Sequence, residues 1–174
     1  LQVVCLRRWE DLPEGSVEIA RSDQPQVGST ALADYYAATV SQIAASSGAT
    51  ERTIRDWFEQ SLITKIHTRS QVLQGADETD GLNNLAVIEP LKQAHLVNCE
   101  SRLGSWWLEL AHDRLIKPVQ SNNQAWSTKN LSPLQREAAL WCDLGKPDER
   151  LLSSGFLKAA EHWGRTNKLN ATEE

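Results

Sequence analysis

The sequence contains no methionine, only three cysteines, and only two phenylalanines and two tyrosines in 174 residues. A chain without methionine does not start where translation starts, so a piece of a larger protein is expected. Cys5, Cys99 and Cys142 are far apart, odd in number and never in a Cys-x-x-Cys pair. That argues against a zinc site and a disulfide framework, and it points to reduced thiols in a cytoplasmic protein. No apolar run reaches the roughly 18 residues that a membrane helix needs. Leu1-Gln2-Val3-Val4-Cys5 lacks the basic start, long apolar stretch and cleavage site of a signal peptide. Positive charge is also short. Eighteen Lys and Arg stand against 23 Asp and Glu, for a net charge of −5, which removes the simple electrostatic case for a nucleic-acid partner.

Catalytic equipment is scarce too. The phosphate-cradling pattern Gly-x-x-x-x-Gly-Lys-Ser/Thr is absent. The only Gly-Lys pair, Gly145-Lys146, has Leu140 where the first glycine belongs and Pro147 where the hydroxyl belongs. His67, His95, His112 and His162 show no paired metal-ligand spacing. A Cys99–His112 dyad near one hairpin has no oxyanion or orienting motif beside it. The expectation is therefore a non-enzymatic chain without a bound metal.

What is present is the composition of an ordinary globular protein, 40% hydrophobic and 24% charged. Seven tryptophans are spread one or two to a segment, which suits core packing better than a base-stacking platform. Leu1, Val4, Cys5 and Trp9 recur at helical spacing, and 11–30 is loop-like. Leu32, Tyr35, Tyr36, Thr39, Val40 and Ile43 form one stripe of a helix over about 31–45. Thr50 caps a third helix, with Glu51 in its first turn and Ile54, Trp57, Phe58 and Leu62 on one face. A short extended piece, Gln71-Val72-Leu73, interrupts a polar, turn-rich stretch. A helix over about 84–94 turns Leu85, Ile88 and Leu91 inward, and Pro90 predicts a kink or a late start.

The period then changes to two. Val97–Glu100 and Trp106–Leu110 flank Ser101-Arg102-Leu103-Gly104, the pattern of a β-hairpin. Three helices followed by a hairpin is the order of a winged helix. A helix through Leu115, Ile116 and Val119 follows, with Asp113 read as its cap and His112 as the residue before the cap. Ser132-Pro133-Leu134-Gln135 is a capping box with proline at the first helical position. Its helix stops at Gly145-Lys146-Pro147. A last helix runs from about Ser154, and the tail from Asn167 is polar.

The run Glu-Leu-Ala-His-Asp-Arg-Leu-Ile-x-Pro at 109–118 resembles a hallmark of bacterial STAND-class signalling NTPases, which are related to NB-ARC proteins. Ala-Leu-Ala-Asp-Tyr-Tyr at 31–36, Ile-Arg-Asp-Trp-Phe-Glu-x-x-Leu-Ile-Thr at 54–64 and Thr-Arg-Ser-Gln-Val-Leu-x-Gly at 68–75 resemble the same family. So do 1–5 and Leu-Ser-Pro-Leu-Gln-Arg-x-Ala-Ala-Leu-Trp at 131–141. The resemblance implies a mainly α fold with a small β-hairpin: a winged-helix domain followed by two or three extra helices. It divides the chain into a remnant of the NTPase helical subdomain at 1–28, a winged helix at 29–127, a helical extension at 128–166 and a flexible tail at 167–174.

It also implies a role for His112 and Asp113. In NB-ARC proteins a Met-His-Asp motif follows the hairpin, and its histidine reaches the phosphates of ADP and holds the switch off. Ala111 stands here in place of the Met. On this reading the fragment has no cofactor, while ADP or ATP binds the full-length parent. The partners implied are an intramolecular P-loop NTPase domain, a downstream repeat or effector domain, and further copies on activation. Two other readings compete. One is an interaction or linker module without nucleotide contact. The other is a DNA-binding winged helix, for which 84–96 offers only Lys92 beside Glu89 and the wing only Arg102 beside Glu100.

Overall fold

The computed structural model describes residues 29–150 and 154–166. They fall into two compact units, one ending at Asn123 and the other beginning at Gln124. The helix expected over 1–10, the loop after it and the tail from 167 lie outside the described residues.

The first unit opens with two helices. Helix α1 (Ser29–Ser47) buries Tyr36, Thr39, Val40 and Ile43, the stripe expected from the sequence. Thr50 caps helix α2 (Glu51–Ser61) by accepting from Thr53 N at 3.1 Å. Ile54, Trp57 and Phe58 recur at i, i+3, i+4 and are all buried. The Phe58 ring meets Tyr36 edge-on at 5.1 Å and Trp57 at 5.5 Å, a geometry that matches ring edges to ring faces.

Strand β1 (Gln71–Leu73) is the short extended piece seen in the sequence. It pairs antiparallel with β5 (Ser105–Leu110), which pairs on its other side with β4 (Val97–Arg102), so the sheet order is β1-β5-β4. Helix, helix, strand, helix, strand, strand is the winged-helix arrangement, and the chain is a winged helix followed by further helices. One face of the sheet carries Val72, Leu108, Cys99, Val97 and Leu110 toward the helices. The turn between β4 and β5 is shorter than expected, because only Leu103 and Gly104 lie outside the strands, and both have positive φ (51° and 80°).

Between β1 and the third helix, strands β2 (Glu78–Thr79) and β3 (Leu82–Asn83) make a small hairpin. Buried Asn84 closes that loop, donating from Nδ2 to Gly75 O (2.9 Å) and Ala76 O (3.2 Å) and accepting from Thr79 Oγ1 (2.7 Å). A Cβ at Gly75 would lie 2.0 Å from the Glu78 carbonyl oxygen, so the loop closes only around glycine.

The third helix departs from expectation at its start. Asn84–Ile88 form a π-helical turn, with Glu89 N bonded to Asn84 O, and only Glu89–Gln93 (α3) is regular α-helix. Proline at 90 has no N–H to give the preceding turn and its ring needs room there. The wider π turn lies immediately before it. The extra residue per turn rotates the face. Val87, Ile88 and Leu91 point inward, and Leu85, expected in the core, is 85% exposed.

A buried polar clasp joins α1 and α2 to helix α4 (Ile116–Asn130). Arg55, only 3% exposed, donates to Asn122 Oδ1 (2.7 Å), Asn123 Oδ1 (2.8 Å) and Glu51 Oε1 (2.8 Å) and lies over the Tyr36 ring. Tyr36 Oη donates to Asn123 Oδ1 at 3.0 Å. A charge this deep is tolerated because its donors are matched by acceptors.

In the second unit the capping box is present. Ser132 Oγ accepts from Gln135 N, and Gln135 Oε1 accepts from Ser132 N. It starts α5 (Pro133–Asp143), and α6 (Ser154–Thr166) follows. Among the described residues no helix is long and apolar enough to cross a membrane.

Candidate functional site

The corner after the wing carries the residues singled out in the sequence. The β4–β5 ladder pairs Val97 with Leu110, and Ala111 N→Leu96 O (3.0 Å) continues it by one step. The backbone then stays extended at His112 (φ −156°, ψ 143°) and winds into a 3₁₀ turn, Asp113–Leu115, that leads into α4.

His112, not Asp113, caps this turn. Its Nδ1 accepts from Arg114 N at 3.1 Å, and Leu115 N donates to His112 O at 2.9 Å. An accepting Nδ1 carries no proton in this arrangement, so the ring N–H is on Nε2. His112 is exposed, and Nε2–H has no partner among the described residues.

Asp113, expected to cap the helix and orient the imidazole, does something else. Its carboxylate takes Arg69 Nε at 2.5 Å. The same guanidinium donates through Nη1 to Glu109 Oε1 (3.0 Å) and Leu110 O (3.3 Å). Gln71 Nε2 reaches Glu109 Oε2 (2.8 Å), and Arg102 Nη1 reaches Gln71 Oε1 (2.9 Å). Asp113 thus belongs to a polar chain over the outer sheet face, with the Arg69 guanidinium between two carboxylates. It is held away from the His112 ring, to which it makes no hydrogen bond.

His112 opens onto a groove of about 630 Å³ whose lining includes Tyr35, Lys92, His95, Cys99 and Arg114. Among the described residues no carboxylate lines it, although Glu89 takes Lys92 Nζ at 2.7 Å from beside it. Its described walls thus carry Lys92, already paired with Glu89, together with Arg114 and two imidazoles. A second hollow, of about 780 Å³, holds His67, Arg69, Asp113 and Lys117, and Arg114 lines both.

No hydrogen bond joins Cys99 to His112. Its thiol points to Gln74 Oε1 (3.5 Å), and burial pushes its pKa up, which keeps it a thiol rather than a reactive thiolate. Among the described residues no cluster of His, Cys, Asp and Glu could hold a metal ion.

Sequence reasoning passed over Arg69, His95 and Arg114. Arg69 and Arg114 lay inside runs quoted for their overall pattern, but no local spacing links 69 to 113. The sheet register supplies that link. Comparison with known protein families, with curated proteins and with solved structures finds no match to this chain.

Proposed function

We propose that this chain is the regulatory winged-helix module of a STAND-type signalling ATPase, and that His112 senses whether ADP or ATP occupies an adjoining P-loop core. The observation that supports this reading is the state of the His112 ring. Nδ1 is spent on the helix cap, which fixes the ring, and Nε2–H is left as an exposed donor at a groove that no carboxylate lines among the described residues. A fixed donor beside cations is matched to a phosphate oxygen. The module needs no catalytic residues of its own. Nucleotide chemistry belongs to the core, and the winged helix supplies a contact that one nucleotide state makes better than the other. A downstream repeat or effector domain, assembly with further copies on activation, and a cytoplasmic setting complete the proposal.

Asp113 contributes indirectly. Through Arg69 it ties the corner to β5 and holds the segment that presents His112.

The test uses the longer protein that carries both core and winged helix. A hydrogen bond to a phosphate is worth about 1.5–3 kcal/mol, so losing it weakens ADP binding roughly ten- to a hundredfold and raises basal signalling. His112→Ala removes the donor and the cap together. His112→Ser removes the donor and keeps a capping oxygen. Equal loss of ADP affinity in both variants supports the sensor. Affinity restored by serine shows that the histidine acts only as a cap and ends the proposal.

A further inference from the structure

We infer that His95 and Arg114 are phosphate-binding residues that work with His112, so that the groove they line together takes a phosphate-bearing anion on three side chains rather than on one. The inference rests on the reading of His112 as phosphate-facing, and adds two residues to it.

The juxtaposition follows from register. Val97 pairs with Leu110 and Leu96 O accepts from Ala111 N, so the turn that carries His95 enters β4 beside the corner that carries His112, and both side chains line one groove. His95 is also the residue after the C-cap of α3. His95 N donates to Lys92 O (2.9 Å) and Leu96 N to Leu91 O (3.1 Å), the two bonds of a Schellman motif. That motif puts its penultimate residue in the left-handed region, where glycine is favoured, and His95 has φ 54°. A side chain there is strained, and this one gives nothing back within the chain. It is exposed and makes no hydrogen bond or ion pair to another described residue. What it does is line the groove with His112 and Arg114. The Arg114 guanidinium is likewise exposed and without a partner among the described residues. Two imidazole N–H donors, one from the C-cap turn of α3 and one from the corner after β5, and one planar fork of guanidinium donors suit the several oxygens of a phosphate or diphosphate group.

The probe is inorganic pyrophosphate, titrated into the 174-residue chain while the imidazole signals are followed by NMR at constant ionic strength. The expected result is that the rings of His95 and His112 shift together and saturably, while sodium chloride at equal ionic strength moves neither. His95→Gly keeps the backbone conformation and removes the strain, so it raises the melting temperature and lowers pyrophosphate affinity at once. The loss is roughly three- to tenfold, with a similar loss for Arg114→Ala, as expected for one charge-assisted contact each. A parallel titration with ADP separates the sources of the anion: affinity close to that of pyrophosphate shows that the phosphates are what is read. No saturable shift with pyrophosphate, or full affinity in His95→Gly, overturns the inference. In the longer protein, ADP binding weakened by His112→Ser but untouched by His95→Gly and Arg114→Ala refutes the added residues and leaves the sensor standing. Pyrophosphate bound by the chain as described, with ADP affinity of the longer protein indifferent to His112, refutes the sensor and leaves the groove.

Discussion

At residue 112 one imidazole nitrogen caps the turn and the other is the donor proposed for phosphate, and substitutions can part them. His112→Ala deletes the cap acceptor for Arg114 N and costs the chain about 1 kcal/mol, the usual value for losing an N-cap. His112→Ser retains a capping oxygen and leaves stability nearly unchanged. Asp113→Ala breaks a contact to Arg69 whose carboxylate side is 68% exposed, so it costs well under about 1 kcal/mol. This reverses the order expected from the sequence, in which Asp113 carried the cap. Chemical denaturation of the three variants checks it: Asp113→Ala as the most destabilising would show that the aspartate caps after all. The reversal has a local cause. Aspartate is the better capping residue by type, and a sequence reader therefore assigns it the cap. Here the ladder-like bonding ends at Ala111 and the chain leaves the extended conformation after His112, so the turn begins one residue earlier than a cap at Asp113 needs. Asp113 then falls within reach of Arg69, which lies two residues before β1 and 44 positions away in the chain.

Between elements, the decisive contacts are the clasp and the wing turn. Tyr36 sits where α1, α2 and α4 meet. Burial raises its phenol pKa above the ordinary value of about 10, although Arg55 and the bond to Asn123 pull the other way. The folded state thus holds this proton more tightly than the unfolded chain. The stability it contributes is complete below about pH 10 and falls as pH rises above it, by up to about 1.4 kcal/mol per pH unit. Tyr36→Phe removes that term and flattens the alkaline loss, at a cost of about 1 kcal/mol near neutrality for the missing hydrogen bond. Urea unfolding of both proteins from pH 9 to 11 measures the difference, and parallel slopes would sink the assignment. At the wing, Leu103 is fully exposed and has positive φ, and with Gly104 it makes a two-residue turn of the type that prefers Asn-Gly. Leu103→Asn stabilises the chain by about 0.5–1 kcal/mol, readable as a raised melting temperature. Period and capping made most of these elements legible: the stripe of α1, the Thr50 cap, the hairpin and the Ser132 capping box all lie in local spacing. The clasp was not legible, because Arg55 and Asn123 are 68 positions apart and each looks like a surface residue in its own helix. The π turn was not either. Pro90 announced a disturbance, but whether the chain kinks, starts late or widens one turn is decided by the packing of Val87, Ile88 and Leu91.

For the whole molecule, charge decides which large partners are open to it. Winged helices can present the third helix and the wing to DNA, and a duplex is bound mainly through several Lys and Arg side chains set against phosphates. This chain brings one cation in each place, and both are already engaged. Lys92 Nζ lies 2.7 Å from Glu89 Oε2, and Arg102 is paired with Glu100 and hydrogen-bonded to Gln71. The start of the third helix presents Leu85 to solvent instead of a donor. Binding DNA would mean breaking two ion pairs and bringing Glu89 and Glu100 toward a polyanion, on a protein of net charge −5. Cations do gather near the corner after the wing, but Arg69 is spent on Asp113 and Glu109, and the groove there is a concavity rather than a face for a duplex. The 174-residue chain therefore binds duplex DNA no better than the nonspecific level, with dissociation constants of about 10⁻⁴–10⁻⁶ M at physiological salt. Its affinity is the same for unrelated sequences, and Lys92→Ala or Arg102→Ala changes it little. Fluorescence anisotropy with random and G·C- or A·T-rich duplexes measures this. Nanomolar, sequence-dependent binding lost on Lys92→Ala would show that the third helix reads DNA, and would replace the nucleotide-sensing reading with a transcriptional one.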